Sequence, residues 1–237
     1  MTTDNNEQKV LDNIGHRRRV RQRFWKNGGD DMADYELLEF VLMQAIPRRD
    51  VKPIAKELLR KFGSFAQVIY APATELQQIA WVKESTCIQL KLIAAAVKRI
   101  CREHLNETEA ISLPNIDALI EYARAAMAYS PVEELRVVYL NAALRVIGDE
   151  LIQKGTLTEV ITSPRAIVTQ ALENKAAGII LIHNHPSDNT KPSHQDDILT
   201  SQIKDACNLM GITLHDHIIT GRSNYYSYHE KCRIICG

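Results

Sequence analysis

The spacing of apolar positions along the chain changes near its middle. In the first half they recur three and four residues apart, as on one face of a helix. "DYELLEFVLMQAI" sets Leu37, Leu38, Val41 and Leu42 on one stripe behind Asp34, read as an N-cap, and Pro47 ends the run. "DVKPIAKELLRKFG" repeats the design, with Asp50 leading, Pro53 in the first turn and Gly63 after the last apolar residue. "SFAQVIYA", "TELQQIA" and "STCIQLKLIAAAVKRICREHL" continue as short helices and then a longer one. Helices this short bury little surface singly, so they are expected to pack as one bundle. Residues 1–106 are therefore expected to form a small all-helical domain, with residues 107–114 as a linker.

Beyond the linker, apolar residues alternate or run together. "NIDALIEYARAAMAY" reads as a helix, and "ELRVVYLNAALRVIGDELIQKGT" as two strands with a turn near Asn141–Ala142 or Gly148. "SPRAIVTQALENK" is a helix with Ser163 as cap and Pro164 at its first position. "AGIILI" is a buried strand, "SHQDDILTSQIKDACNLMG" a helix and "TLHDHIIT" a further strand. Interleaved strands and helices predict an α/β (or α+β) domain over residues 115–237, a sheet with flanking helices.

Composition narrows the class without changing the architecture. No apolar run approaches the ~18 residues of a membrane helix, and "MTTDNNEQKV" lacks the apolar core of a secretory leader, so a cytoplasmic protein is expected. Five cysteines, none in a CxxC pair, read as free thiols of a reducing compartment and remove a zinc-ribbon explanation. The formal charge is zero, but residues 1–108 carry a net +4 and the remainder −4. The first half is thus where a polyanion would be sought.

The candidate chemistry lies in "IILIHNHPSDNTKPSHQDDIL" (Ile179–Leu199). Residues i and i+2 of a strand share a face, so His183 and His185 project together from the strand end, where α/β sheets tend to build sites. Ser193 reads as the cap of the next helix, with Asp196 at its third position as in a capping box. If the Pro-rich loop folds back, two imidazoles and one carboxylate meet at a point. That is a known ligand set for a catalytic zinc ion, one coordination position remaining open. Such an ion would lower the pKa of water towards about 7 and polarise a carbonyl. Asp196 is also explained by capping alone, and a histidine at a strand end by its boundary position. Nucleobase deamination is excluded, since the residue two after His183 is not Glu and no P-C-x-x-C follows.

"HNHPSDNTKPSHQDD" resembles the JAMM (MPN+/JAB) metalloprotease signature, and the Asn between the histidines resembles its bacterial RadC branch. "GHRRRVRQRFWKNG", "LLRKFGSF", "ELIQKGT", "SPRAI", "HDHIITG" and "SYHE" also resemble segments of RadC-like proteins, so the similarity runs from about Gly15 onward. The resemblance implies a JAMM/MPN-type sheet with cytidine deaminase-like layering, and one zinc ion on His183, His185 and Asp196. It implies Ser193 as the group that positions water or steadies an oxyanion, and a glutamate upstream of the histidines as general base. Glu150 is the candidate base, beginning a strand expected beside the metal strand, with Glu159 as second choice. Ala166 stands where many relatives carry Glu, and Asp188 where they often carry Gly. His215 and His217 are expected on one face of their strand, His217 in a supporting role. The implied activity is hydrolysis of peptide or isopeptide bonds in a protein substrate. The alternatives are a DNA-associated repair factor and a noncatalytic MPN scaffold.

The DNA alternative rests on "HRRRVRQRFWKNG", where Arg17, Arg18, Arg19, Arg21, Arg23 and Lys26 flank Phe24 and Trp25. The reading favoured for this segment is a solvated helix whose aromatics pack on the bundle. The following helices resemble a helix-hairpin-helix module, but Trp81 and Lys83 occupy the places of the glycines whose backbone would approach phosphate.

Overall fold

The computed structural model of the protein describes residues 2–107, 111, 116–155 and 163–235, with side chains described from Gly15 onward. The chain divides into two units, Met1–Ala96 and Val97–Gly237. Of the expected linker, only Glu107 and Ile111 fall among the described residues.

The first unit is helical, as the three-and-four spacing requires. It holds α1 (Thr2–Asn27), α2 (Asp34–Ala45), α3 (Lys52–Phe62), α4 (Phe65–Tyr70), α5 (Ala73–Leu76) and the first part of α6 (Glu84–Glu107). Leu38, Leu42, Leu58, Val68, Leu76 and Leu90 meet in its core. Asp34 is the first helical residue rather than the cap. Ala33 holds the cap position, and its N–H donates to Glu36 Oε2 at 3.0 Å. Gly63 closes α3 with φ 97°, a left-handed conformation that costs glycine little.

Two features of this unit bear on its basic segment. Arg17 points inward, donating to the carbonyls of Met43 (3.0 Å), Ile46 (2.6 Å) and Arg49 (2.7 Å) at and beyond the end of α2. Those carbonyls lack partners within their own helix, so the guanidinium works as a cap from outside. Arg23 is held by Asp31 and by Glu36 at 3.0 Å. Trp81 keeps φ at 71°, the conformation a glycine would favour, and the Arg49 guanidinium lies 3.4 Å over its ring centre.

The second unit contains α7 (Asp117–Met127), β1 (Glu134–Leu140), β2 (Val146–Lys154), α8 (Pro164–Glu173), β3 (Gly178–Asn184), α9 (His194–Leu209), β4 (Thr213–Thr220) and β5 (Tyr225–Ser227). The five strands run in the order β2-β1-β3-β4-β5. Only β3 and β4 pair in parallel, with α9 as their crossover; the other pairs are antiparallel. β3 is buried on both faces, which is why it reads as an unbroken apolar run. Its even residues Ile180 and Ile182 pack with Leu119 and Ala123 of α7. Its odd residues Ile179 and Leu181 pack with Ile167 of α8 and with Ile203 and Cys207 of α9. Helices therefore cover both faces of the sheet.

β5 escaped the sequence reading because three residues are too few to show a period. Asp149 of "GDEL" is consumed by the fold: it accepts from Tyr122 Oη at 2.6 Å and pairs with Arg136 and, at 2.8 Å, with Arg102. Among the described residues, no helix is long and apolar enough to cross a membrane. Cys87, Cys101, Cys207 and Cys232 are free thiols, and Cys236 lies outside the described residues.

Leu181 is wholly buried at the middle of β3. Leu181→Ala is expected to lower the unfolding free energy by about 2–5 kcal/mol, through lost transfer energy and the cavity left behind. Urea denaturation checks this, and a loss under about 1 kcal/mol would contradict the packing.

Candidate metal centre

β3 ends where its side chains leave the apolar core, and His183 follows Leu181 on the face covered by α9. Ser193 caps α9 as its residue type requires: its Oγ accepts from Asp196 N at 3.1 Å. In return, Ser193 N and Oγ both donate to Asp196 Oδ2, at 2.7 and 2.6 Å. This capping box fixes the Asp196 rotamer and turns its other oxygen towards the end of β3. His183 Nε2 lies 3.3 Å from Asp196 Oδ1, His185 Nε2 lies 3.4 Å from Asp196 Oδ2, and the two Nε2 atoms are 2.9 Å apart. Among the described residues this is the one group of three or more such side chains able to share an ion.

The hydrogen-bond partners assign the ring tautomers. Thr200 Oγ1 is 2.5 Å from the Asp196 carbonyl, which can only accept, so its proton is committed there. Thr200 Oγ1 therefore accepts from His217 Nδ1–H at 2.6 Å. His217 Nε2 is left with a lone pair and accepts from His183 Nδ1–H at 2.7 Å. His183 Nε2 is then a bare lone pair. His185 Nδ1–H donates to the Asn189 carbonyl at 2.6 Å, which leaves its Nε2 bare as well. Asp196 Oδ1 is buried without any hydrogen-bond partner. With both rings neutral, three lone-pair groups converge; a proton on His185 Nε2 would be shared with Asp196.

Such an arrangement is compatible with a shared cation, which would partner the buried orphan carboxylate oxygen. The separations suit one, since ligand atoms in a tetrahedral shell of ~2.0–2.1 Å bonds stand about 3.3 Å apart. Electrostatics point the same way. Burial pushes His183 down to about 4, so its ring is neutral and ready to ligate. Burial, then the neighbouring His183 ring, keeps His217 well below the usual imidazole range. Burial works to raise the Asp196 carboxyl, but the His185 hydrogen bond, the His183 imidazole and Ser193 outweigh it and hold it low. His185 is raised, chiefly by its hydrogen bond to Asp196.

The supporting residues are specific. His217 stacks on Tyr228 with ring centres 5.0 Å apart and planes 13° off parallel. Tyr228 Oη donates to Asp197 Oδ1 at 2.9 Å. Asp188 takes φ 64°, a conformation that favours glycine, and its Oδ1 accepts from Arg222 N at 2.7 Å. This acidic side chain ties the metal loop to the turn after β4. His215 and His217 do not share a face, contrary to the i, i+2 expectation. A bulge in β4 inserts His215 between the pairs Ile179↔Leu214 and Ile180↔Asp216, which shifts the alternation by one. His215 consequently lines a cavity of about 330 Å³ with Asp216 and Ile180, while His217 sits under α9.

Of the expected site residues, His183, His185, Asp196 and Ser193 come together. The Ser193 hydroxyl is spent on Asp196 Oδ2 rather than aimed outward. Glu150 does not join them: it pairs with Val137, which pairs with Leu181, and it is an exposed acceptor for Tyr139 Oη at 3.1 Å. Glu159 lies outside the described residues. A further carboxylate near this strand end, which sequence reasoning did not weigh, is that of Glu133. Extending the β1–β3 register two rungs past Leu135↔His183 would set Glu134 beside Asn184 and then Glu133 beside His185. The charge of Glu133 contributes to raising His185. The signal was available in "EELRVVYL", but only to a reader who knew which strand pairs with β3.

Without a metal, a proton on His185 Nε2 meets the facing lone pairs, and a divalent ion must displace it. Metal uptake is therefore expected to release protons, with affinity falling as pH drops and the raised His185 ring takes up its proton. Calorimetric titration of metal-free protein with zinc in buffers of different ionisation enthalpy measures this. Proton-independent affinity from pH 6 to 8 would contradict it.

Comparison with known proteins agrees with this geometry. Residues 113–233 match the family model described as "RadC-like JAB domain". The chain is 41% identical over 216 residues to a UPF0758 protein of Ruegeria pomeroyi, covering 91% of this chain and 96% of that protein. It is 40% identical over 212 residues to a UPF0758 protein of Rhodobacter capsulatus, covering 90% and 98%. A JAB domain ahead of which a helical unit folds, shared with these relatives along nearly their whole length, makes the chain a member of the RadC family.

Proposed function

We propose that the protein is a zinc-dependent hydrolase of peptide or isopeptide bonds. The observation that carries this reading is the convergence of His183 Nε2, His185 Nε2 and the partnerless Asp196 Oδ1. A scaffold that had lost its ion would have no use for a buried carboxylate oxygen without a donor. When bound, a zinc ion supplies Lewis acidity, acidifying water and polarising a carbonyl.

The chain's own residues do the rest. His183 and His185 offer neutral nitrogens, and Asp196 an anionic oxygen whose direction Ser193 sets. His217 keeps the proton of His183 on Nδ1, so that Nε2 faces the ligand group. Glu133 is the general base in this reading, in place of Glu150, because its charge reaches His185 and its strand end abuts the metal strand. It takes the proton of the attacking water and returns it to the leaving amine, restoring its own charge. Ser193 would steady an oxyanion only by releasing Asp196 Oδ2 and turning its hydroxyl.

Purified protein is expected to hold one zinc ion per chain and His183→Ala none, by elemental analysis. Glu133→Gln should keep the zinc and lose about 10²–10⁴-fold in hydrolysis of lysine-linked isopeptides. Equal metal in the wild type and His183→Ala would remove the site, and full activity in Glu133→Gln would remove the base.

A second reading concerns the helical unit. Arg18, Arg21, Gln22 and Trp25 form an exposed ridge at helical spacing on α1, and Trp25 is 89% exposed. Arg17 and Arg23, by contrast, serve the fold. A cationic ridge with an open indole suits single-stranded nucleic acid, phosphate to guanidinium and base to ring. Affinity for single-stranded DNA is expected to fall steeply with salt, and Arg18→Ala with Arg21→Ala to lower the log–log slope by about 1.4. An unchanged slope would assign the ridge to solvent.

A further inference from the structure

We propose that Asn184, the residue between the two histidines, positions Glu133 beside the metal centre; the inference rests on the hydrolytic reading above. Asn184 is fully buried, and because neighbours on a strand face opposite ways, its side chain leaves the sheet on the side away from His183 and His185. It cannot join the ligands, yet it is placed at their centre in the sequence.

Its two amide groups are both spent on one short segment. Oδ1 accepts from Glu134 N at 2.9 Å, and Nδ2 donates to Val132 O at 3.1 Å. These atoms lie on either side of Glu133. The antiparallel ladder of β1 and β3 closes with Leu135↔His183, so backbone pairing stops short of Glu133. A carboxamide carries the donor and acceptor of a peptide group. Asn184 therefore supplies the next rung from its side chain. Gly155 N donates to Glu133 O at 2.8 Å from the other flank, so the Glu133 backbone is held from both β3 and the end of β2. None of these hydrogen bonds uses its carboxylate, whose charge acts on His185.

The residue type follows from this geometry. Asp offers no donor for Val132 O and would set a charge against it. Apolar side chains would leave Val132 O and Glu134 N without partners in a buried place. Gln adds a methylene where Asn184 has no exposed surface. One amide thus couples the strand that carries the ligands to the residue that moves the proton.

The test uses the full-length zinc-loaded protein with Asn184→Ala, and Asn184→Asp as a second variant that keeps the acceptor for Glu134 N. Zinc content should match the wild type in both, since no ligand is altered. Hydrogen exchange over residues 130–136 should rise at least tenfold in Asn184→Ala, with the Glu134 amide staying protected in Asn184→Asp. Isopeptide hydrolysis should fall about 10²-fold in Asn184→Ala, as for a reacting group misplaced by an ångström. In a Glu133→Gln background the same change should cost less than twofold. Unchanged exchange over residues 130–136, or an equal activity loss in both backgrounds, would overturn the proposal. Should the wild type prove inactive, the hydrolytic reading fails on that result alone, and the exchange data still decide whether Asn184 holds the segment.

Discussion

The hydrogen-bond chain from the Asp196 carbonyl through Thr200 and His217 to His183 is what the site depends on. A carbonyl accepts only, and that single fact passes a direction along three side chains. Its far end is a lone pair on His183 Nε2. Because the chain starts on the backbone of Asp196 and finishes on a ring that faces the Asp196 carboxylate, β3, α9 and β4 are locked together around one point. Metal ligands need such partners, since a ligating imidazole is oriented by what its other nitrogen meets.

The sheet makes this convergence possible. β3 sits third of five strands, its apolar alternation committed to helices on both faces. The first residues to escape that commitment are His183, Asn184 and His185, and Asn184 is used differently from the two histidines because it points to the other face. The crossover through α9 returns Asp196 to the tip of the strand it left. A one-residue slip of β3 would swap the roles of Asn184 and the histidines, which is why the core pattern behind them must be unambiguous.

Much of this was legible in the sequence, for local reasons. Ser193 and Asp196 stand in a capping-box spacing, and capping is decided within one helical turn. His183 and His185 share a face because strand alternation is equally local. The proposed base was not legible, because Glu133 approaches the strand end of His183 only through the pairing of β1 with β3, about fifty positions apart by register. Glu150 is close to the right strand edge in sequence but sits on the wrong rung. His215 was misassigned because a bulge breaks alternation, and no residue in "TLHDHIIT" announces one. Arg17 reads as surface charge, yet it is the cap of a neighbouring helix, and such a partner is invisible until the bundle is folded.

The central claim is that a divalent ion, not a proton network alone, completes the group of three lone pairs. Crystals of zinc-loaded protein, with diffraction recorded on both sides of the zinc absorption edge, test it most directly. The account predicts one anomalous peak about 2.0–2.2 Å from His183 Nε2, His185 Nε2 and Asp196 Oδ1. A peak elsewhere, or zinc bound through Nδ1 of either histidine, would contradict it.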